Sequence, residues 1–170
     1  ELTPDDLYRA AKGFKLGTAL GADSWNPGLV RYMSRDALQG LCHIFRAMER
    51  LGRPPVELVV LVMLDKPEGG HRLIGLLTGV TRVWGRARRS HARQWEELYD
   101  RPYFWSKPGH SASGSAYLQQ LHSEIARAKG LLVGLTLLDL IKCYEKVRHW
   151  VLRQSADMVQ FPVVILRLCI

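Results

Sequence analysis

The chain has 170 residues, 47% of them hydrophobic and 24% charged, the balance of an ordinary globular protein with a real core. No apolar run approaches the roughly 20 residues that a membrane-spanning helix needs, and Cys42, Cys143 and Cys169 stand too far apart for the ligand spacing of a structural zinc site. A net charge of +8 favours a polyanionic partner, nucleic acid first and an acidic membrane surface second, with a basic protein lacking any such partner as the plain alternative.

The opening Thr3-Pro-Asp-Asp6 reads as a helix start, with proline and acids in the first turn. Residues 13–25 hold Gly13, Gly17 and Gly21 with Lys15, Thr18 and Asp23, which indicates a loop. Ser34 caps a helix over 34–51, where Leu38, Leu41, Cys42, Phe45 and Met48 recur at three and four; Gly52 closes it and Pro54 and Pro55 prevent continuation. Residues 59–64 predict a buried strand, 65–70 a turn and 72–77 the return strand, giving a hairpin with Lys66 and Arg72 on opposite sides of its turn.

A helix is expected over 78–99 with two faces. Val80, Val83, Trp84, Ala87, His91, Trp95 and Leu98 follow one, and Arg82, Arg86, Arg89 and Arg93 share another. Such a column of arginines suits a phosphate backbone, or else is a solvated face balanced by Glu96 and Glu97. Residues 101–113 form a loop whose Tyr103, Phe104 and Trp105 either stack bases or plug the core, at least two of them core. Residues 113–129 are helical, with Tyr117, Leu121 and Ile125 four apart, and end at Gly130.

Residues 131–138 are apolar apart from Gly134 and Thr136 and read as a buried strand that ends on Asp139. A carboxylate there is costly unless it is paired, hydrogen-bonded or bound to a metal; a helix N-cap is the plain alternative. A helix over 150–156, a break at Phe161-Pro162 and an apolar stretch over 163–170 follow. Glu1 at the start and the apolar run at the end both look cut, so a fragment of a longer product is expected.

Residues 138–149, Leu-Asp-Leu-Ile-Lys-Cys-Tyr-Glu-Lys-Val-Arg-His, resemble the first catalytic motif of reverse transcriptases of the non-LTR retroelement and group II intron type. The match runs Asp139, Cys143, Tyr144, Glu145, Val147, His149. Lys15, Gly21 and Asp23 resemble the family's opening glycine loop. Lys66-Pro, the glycines and Arg72 resemble its fingers hairpin, with Leu73 where a proline is usual. His110 stands where an arginine is common, and Gln160 takes the glycine position of a Gly-Phe-Pro break.

The resemblance implies an α/β (α+β) fold of fingers and palm. Residues 1–56 would give the N-terminal helices and glycine-rich loop, 57–130 the fingers hairpin among helices, and 131–170 the beginning of the palm. It implies RNA-directed DNA polymerisation by two-metal nucleotidyl transfer. Asp139 would be catalytic and would hold Mg²⁺ or Mn²⁺ together with the main-chain carbonyl of Leu140. Lys66, Arg72, Leu140 and Tyr144 would bind the deoxynucleoside triphosphate, with the Tyr144 ring rejecting a 2′-hydroxyl. Lys15, Arg82, Arg86, Arg89 and Arg93 would meet the RNA template and DNA primer.

The later paired carboxylates of the family have no counterpart after Asp157, so these residues alone are expected to be catalytically inert. The alternatives are a decayed, non-catalytic nucleic-acid-binding remnant and a ribonuclease H-like nuclease. The latter wants its first acid near the start of the domain. The sparse, odd cysteine count suits a reducing compartment, nucleus or cytoplasm, and no membrane partner is expected.

Overall fold

The computed structural model describes residues 1–54, 58–103, 105, 107, 109–136, 138 and 146–169. Its elements run α1 (Pro4–Lys12), a 3₁₀ helix (Pro27–Tyr32), α2 (Arg35–Leu51), β1 (Val60–Asp65), β2 (His71–Leu76), α3 (Gly79–Leu98), α4 (Ala112–Ala128), α5 (His149–Met158) and α6 (Val163–Arg167). The protein is thus mixed α/β, mostly helical, with one antiparallel hairpin. The chain forms two compact units, residues 1–95 with 149–170, and residues 96–148.

The helix boundaries follow local chemistry. Thr3 and Asp6 form a capping box at the start of α1: the Asp6 amide donates to Thr3 Oγ1 and the Thr3 amide donates to Asp6 Oδ2. Ser34 accepts from the Ala37 amide to cap α2, and Gly52, left-handed at φ 67°, ends it. Ser111 caps α4 in the same way.

The core of the first unit is helical. Leu7 and Ala11 of α1, Val30 of the 3₁₀ helix, Phe45 of α2 and Val83 of α3 are completely buried. Each large apolar side chain withdrawn from water contributes roughly 1.5–3 kcal/mol, so the three- and four-residue spacing of α2 is what ties it into this cluster. Phe14, Trp25, Val80, Ile165 and Leu168 pack around the rim. A largely buried ion pair lies against it. Glu49 Oε1 accepts from Trp84 Nε1 at 2.8 Å and from Arg88 Nε at 2.7 Å, and Oε2 accepts from Arg88 Nη2 at 2.7 Å. Burial alone would raise the Glu49 pKa, but the hydrogen bonds from Arg88 and Trp84 and the guanidinium charge outweigh it and leave the carboxyl more acidic than usual.

Two expectations are corrected. The hairpin forms, shifted by one residue at each strand, but it is not buried: Leu61 is 65% and Met63 66% exposed. A ribbon apolar on both faces needs cover on both, and pairing β1 with β2 supplies only an edge. Second, the strand expected over 131–138 is not one: residues 131–136 have no regular structure, and Leu132 and Leu138 are exposed. A strand needs a neighbouring strand for its amides and carbonyls, and the only sheet among the described residues is β1–β2. In the aromatic loop Tyr103 is exposed and Trp105 is half-buried, packing edge-on to His110 with centroids 4.6 Å apart, while Phe104 lies outside the described residues. In that second unit, α4 is regular but buries none of its residues.

Candidate functional site

The glycine-rich loop is not a free surface loop. A Cβ on Gly21 would lie 2.3 Å from the Leu77 carbonyl oxygen and 2.8 Å from Thr78 Cα, and one on Gly79 would lie 2.3 Å from the Trp25 carbonyl oxygen. Two backbones therefore touch where β2 passes into α3, and glycine on each side is what allows it. Asp23 holds the junction. Its Oδ1 accepts from the Trp25 amide at 3.3 Å and its Oδ2 from the Val80 amide at 3.3 Å, 57 residues away in sequence. Thr78 Oγ1 accepts from the Thr81 amide at 3.3 Å and shares a hydrogen bond with Thr81 Oγ1 at 2.8 Å. Two of the otherwise unpaired amides at the start of α3 are thus satisfied, one locally and one by the loop.

The same loop sorts the α3 arginines. Arg82 donates to the Ala19 carbonyl at 2.6 Å, and its guanidinium lies 5.6 Å from the Phe14 ring centre. Arg86 lies 4.3 Å from that centre and packs against Gly13. Phe14 therefore carries two cations on its ring. Arg89 and Arg93, further along, are exposed, as is Lys15. Of the five residues expected to meet nucleic acid, three are presented to solvent and two are half-buried in packing.

The hairpin leads directly into this junction. Its register pairs Val60 with Leu76, Leu64 with Arg72 and Asp65 with His71. The Lys66 amide donates to the Gly70 carbonyl and the Gly69 amide to the Lys66 carbonyl, both at 3.0 Å. Gly69 and Gly70 have φ of 92° and 82°, values that a side chain would strain, so this five-residue turn depends on its glycines. Leu64 and Arg72 are directly opposed and so share a face; Lys66 is the first residue after β1 and opens the turn. Lys66 and Arg72 therefore flank the turn, one at each side, and no ion pair engages Arg72 among the described residues.

Residue-type patterns missed the pair beside it. His71 Nδ1 and Asp65 Oδ1 are 2.9 Å apart across the strands. They become opposed once the turn is placed at 66–70, so the signal was register rather than spacing. Sequence periodicity also put Glu49 and Arg88 on different helices without showing that they meet.

Asp139, Leu140 and Tyr144, with Cys143 and Glu145, lie outside the described residues. Among the described residues no group of three or more His, Cys, Asp or Glu side chains converges in metal-binding fashion, and no helix is long and apolar enough to cross a membrane. Gln160, at the position where the resembling motif has glycine, is left-handed with φ 52°. No protein-family model matches the chain, and no curated protein matches it significantly.

Proposed function

We propose that these residues are the fingers and the start of the palm of a retroelement reverse transcriptase, an RNA-directed DNA polymerase that works in the nucleus or cytoplasm. The observation that carries the reading is the junction between the glycine-rich loop and the base of the hairpin. Three segments that resemble the family lie in one order in the sequence, and two of them, the loop with Gly21 and Asp23 and the hairpin with Lys66 and Arg72, meet at the start of α3. The left-handed Gln160 supports it independently, because its conformation is the one a glycine favours.

In this reading Lys66 and Arg72 close on the triphosphate of an incoming deoxynucleotide. Arginine offers a planar fork to two phosphate oxygens, and lysine a point charge. The glycine turn between them lets the tip approach the phosphates. Asp139 and the Leu140 carbonyl would hold Mg²⁺ or Mn²⁺, which supplies charge neutralisation at the reacting phosphate. Tyr144 would lie under the sugar. The exposed Lys15, Arg89 and Arg93 would contact the RNA template or DNA primer backbone. One carboxylate does not make a two-metal site, so the 170 residues alone should extend no primer.

The test is an amide NMR titration with Mg²⁺–deoxynucleoside triphosphate. Shifts centred on Gly69, Gly70 and Arg72 that vanish in Arg72→Ala are expected. A triphosphate that leaves the hairpin tip untouched would sink the polymerase reading. The exposed Arg89 and Arg93 favour a second reading, a nucleic-acid-binding remnant, and salt-dependent duplex binding without any triphosphate response at the tip would select it.

A further inference from the structure

Away from the hairpin, a cleft of about 430 Å³ opens in the first unit where α2, α5 and α6 come together. Arg50 in the last turn of α2, Arg153 on α5 and Arg167 at the end of α6 all line it. Gly52, which ends α2, and the buried Leu166 form part of its wall, and Asp157 is its one acid. We propose that this cleft is a binding site for a phosphate-bearing anion.

Three features argue for it. The first is the charge balance: three arginines and one aspartate line the cleft, and more than 100 residues of sequence separate Arg50 from Arg153, so the fold rather than a local charge run assembles them. The second is their lack of partners. Arg9, Arg35, Arg46 and Arg88 each pair with a carboxylate, whereas none of these three forms an ion pair or side-chain hydrogen bond among the described residues, Asp157 included. Like charges around one cleft repel, and a multiply charged anion seated between them reverses the sign of that interaction. The third is the donor type and the room. Guanidinium forks match the oxygen spacing of phosphate, and the volume sits at the small end of the roughly 300–1,000 Å³ typical of ligand pockets. That suits a diphosphate or a stretch of backbone rather than a bulky organic molecule.

The phosphate can come from two sources, a nucleic-acid backbone or a free pyrophosphate, and the chemistry of recognition is shared. The inference does not rest on the polymerase reading, because no cleft residue belongs to the hairpin or to the motif around Asp139.

The experiment follows the Nε–Hε side-chain resonances of the arginines in the full 170-residue chain, titrated separately with pyrophosphate and with a short single-stranded oligonucleotide. Shifts of Arg50, Arg153 and Arg167 are expected. Loss of one charged fork in Arg153→Gln or Arg167→Gln should weaken binding about tenfold or more. Arg35→Gln, at the other end of α2 and roughly 22 Å along it, should bind like the parent. All four arginines in question are exposed, so their replacement leaves the core intact, and unchanged amide spectra verify this. Pyrophosphate response names a free phosphate as the ligand; response to the oligonucleotide alone names the backbone. The proposal is overturned if neither probe shifts the three resonances, or if Arg35→Gln weakens binding as much as the cleft variants do. Either result leaves the hairpin-tip test of the polymerase reading untouched.

Discussion

Replacing Gly21 by Ala probes the junction on which the functional reading rests. The new Cβ would sit 2.3 Å from the Leu77 carbonyl oxygen and 2.8 Å from both Leu77 C and Thr78 Cα. These are backbone atoms and cannot rotate away, so loop and strand end must part by roughly 1 Å in a closely packed region. Overpacking of this kind costs about 1–3 kcal/mol. The same separation stretches the Asp23–Val80 and Arg82–Ala19 hydrogen bonds, each with a net contribution of about 1 kcal/mol. The expected loss is therefore about 3–5 kcal/mol, a large fraction of the 5–15 kcal/mol that holds a domain folded.

Urea denaturation followed by tryptophan fluorescence reads this directly. For an m-value near 2 kcal/mol per molar, the midpoint should fall by about 1.5–2.5 M. Gly17→Ala is the matched control, since a Cβ there meets nothing within 4 Å, and it should be neutral or stabilise by up to about 1 kcal/mol through the unfolded chain. If Gly21→Ala leaves the midpoint within the scatter of Gly17→Ala, the two backbones are not in contact and the junction argument fails.

The largely buried Glu49–Arg88 pair on α2 and α3 gives a pH prediction. Glu49→Ala removes three charge-assisted hydrogen bonds and strands Arg88, whose side chain is 12% exposed, so a loss of about 3 kcal/mol is expected by thermal or urea unfolding. Because the folded pKa of Glu49 is lowered, its contribution is present above the ordinary glutamate range and disappears as the pH falls through the folded value. Stability should therefore decline on acidification, and less steeply in Glu49→Gln. The α3 arginines should divide into two kinds. Arg82→Ala, which breaks the bond to Ala19 and a contact with Phe14, should cost about 1–2 kcal/mol of stability. Arg89→Ala and Arg93→Ala should leave stability within about 0.5 kcal/mol, yet each lowers the slope of log affinity against log salt for a DNA duplex by about 0.9. Equal salt slopes in all variants would refute the division.

Much of the helical framework was written locally. Thr3, Ser34 and Ser111 place their own helix starts because a side-chain oxygen caps the amide three residues on, and Gly52 places the end of α2 because only glycine enters the left-handed region freely. The hairpin was legible for the same reason, as a glycine turn between two apolar runs.

What the sequence could not decide was whatever depends on a distant neighbour. The apolar stretches 59–64 and 131–138 both read as buried strands, but burial and pairing come from partners that periodicity does not name, and the described residues of both stretches are largely exposed. The four α3 arginines are alike in spacing. Only the fold brings Phe14 and Ala19 against two of them and leaves the other two in water. Gly21 read as one glycine among several until Leu77 was set against it. Likewise Arg50, Arg153 and Arg167 share a cleft only because α2, α5 and α6 converge there. Capping and turn geometry act within a few residues and survive in the one-dimensional pattern. Close backbone approach, charge pairing and strand cover act across the chain and exist only in three dimensions.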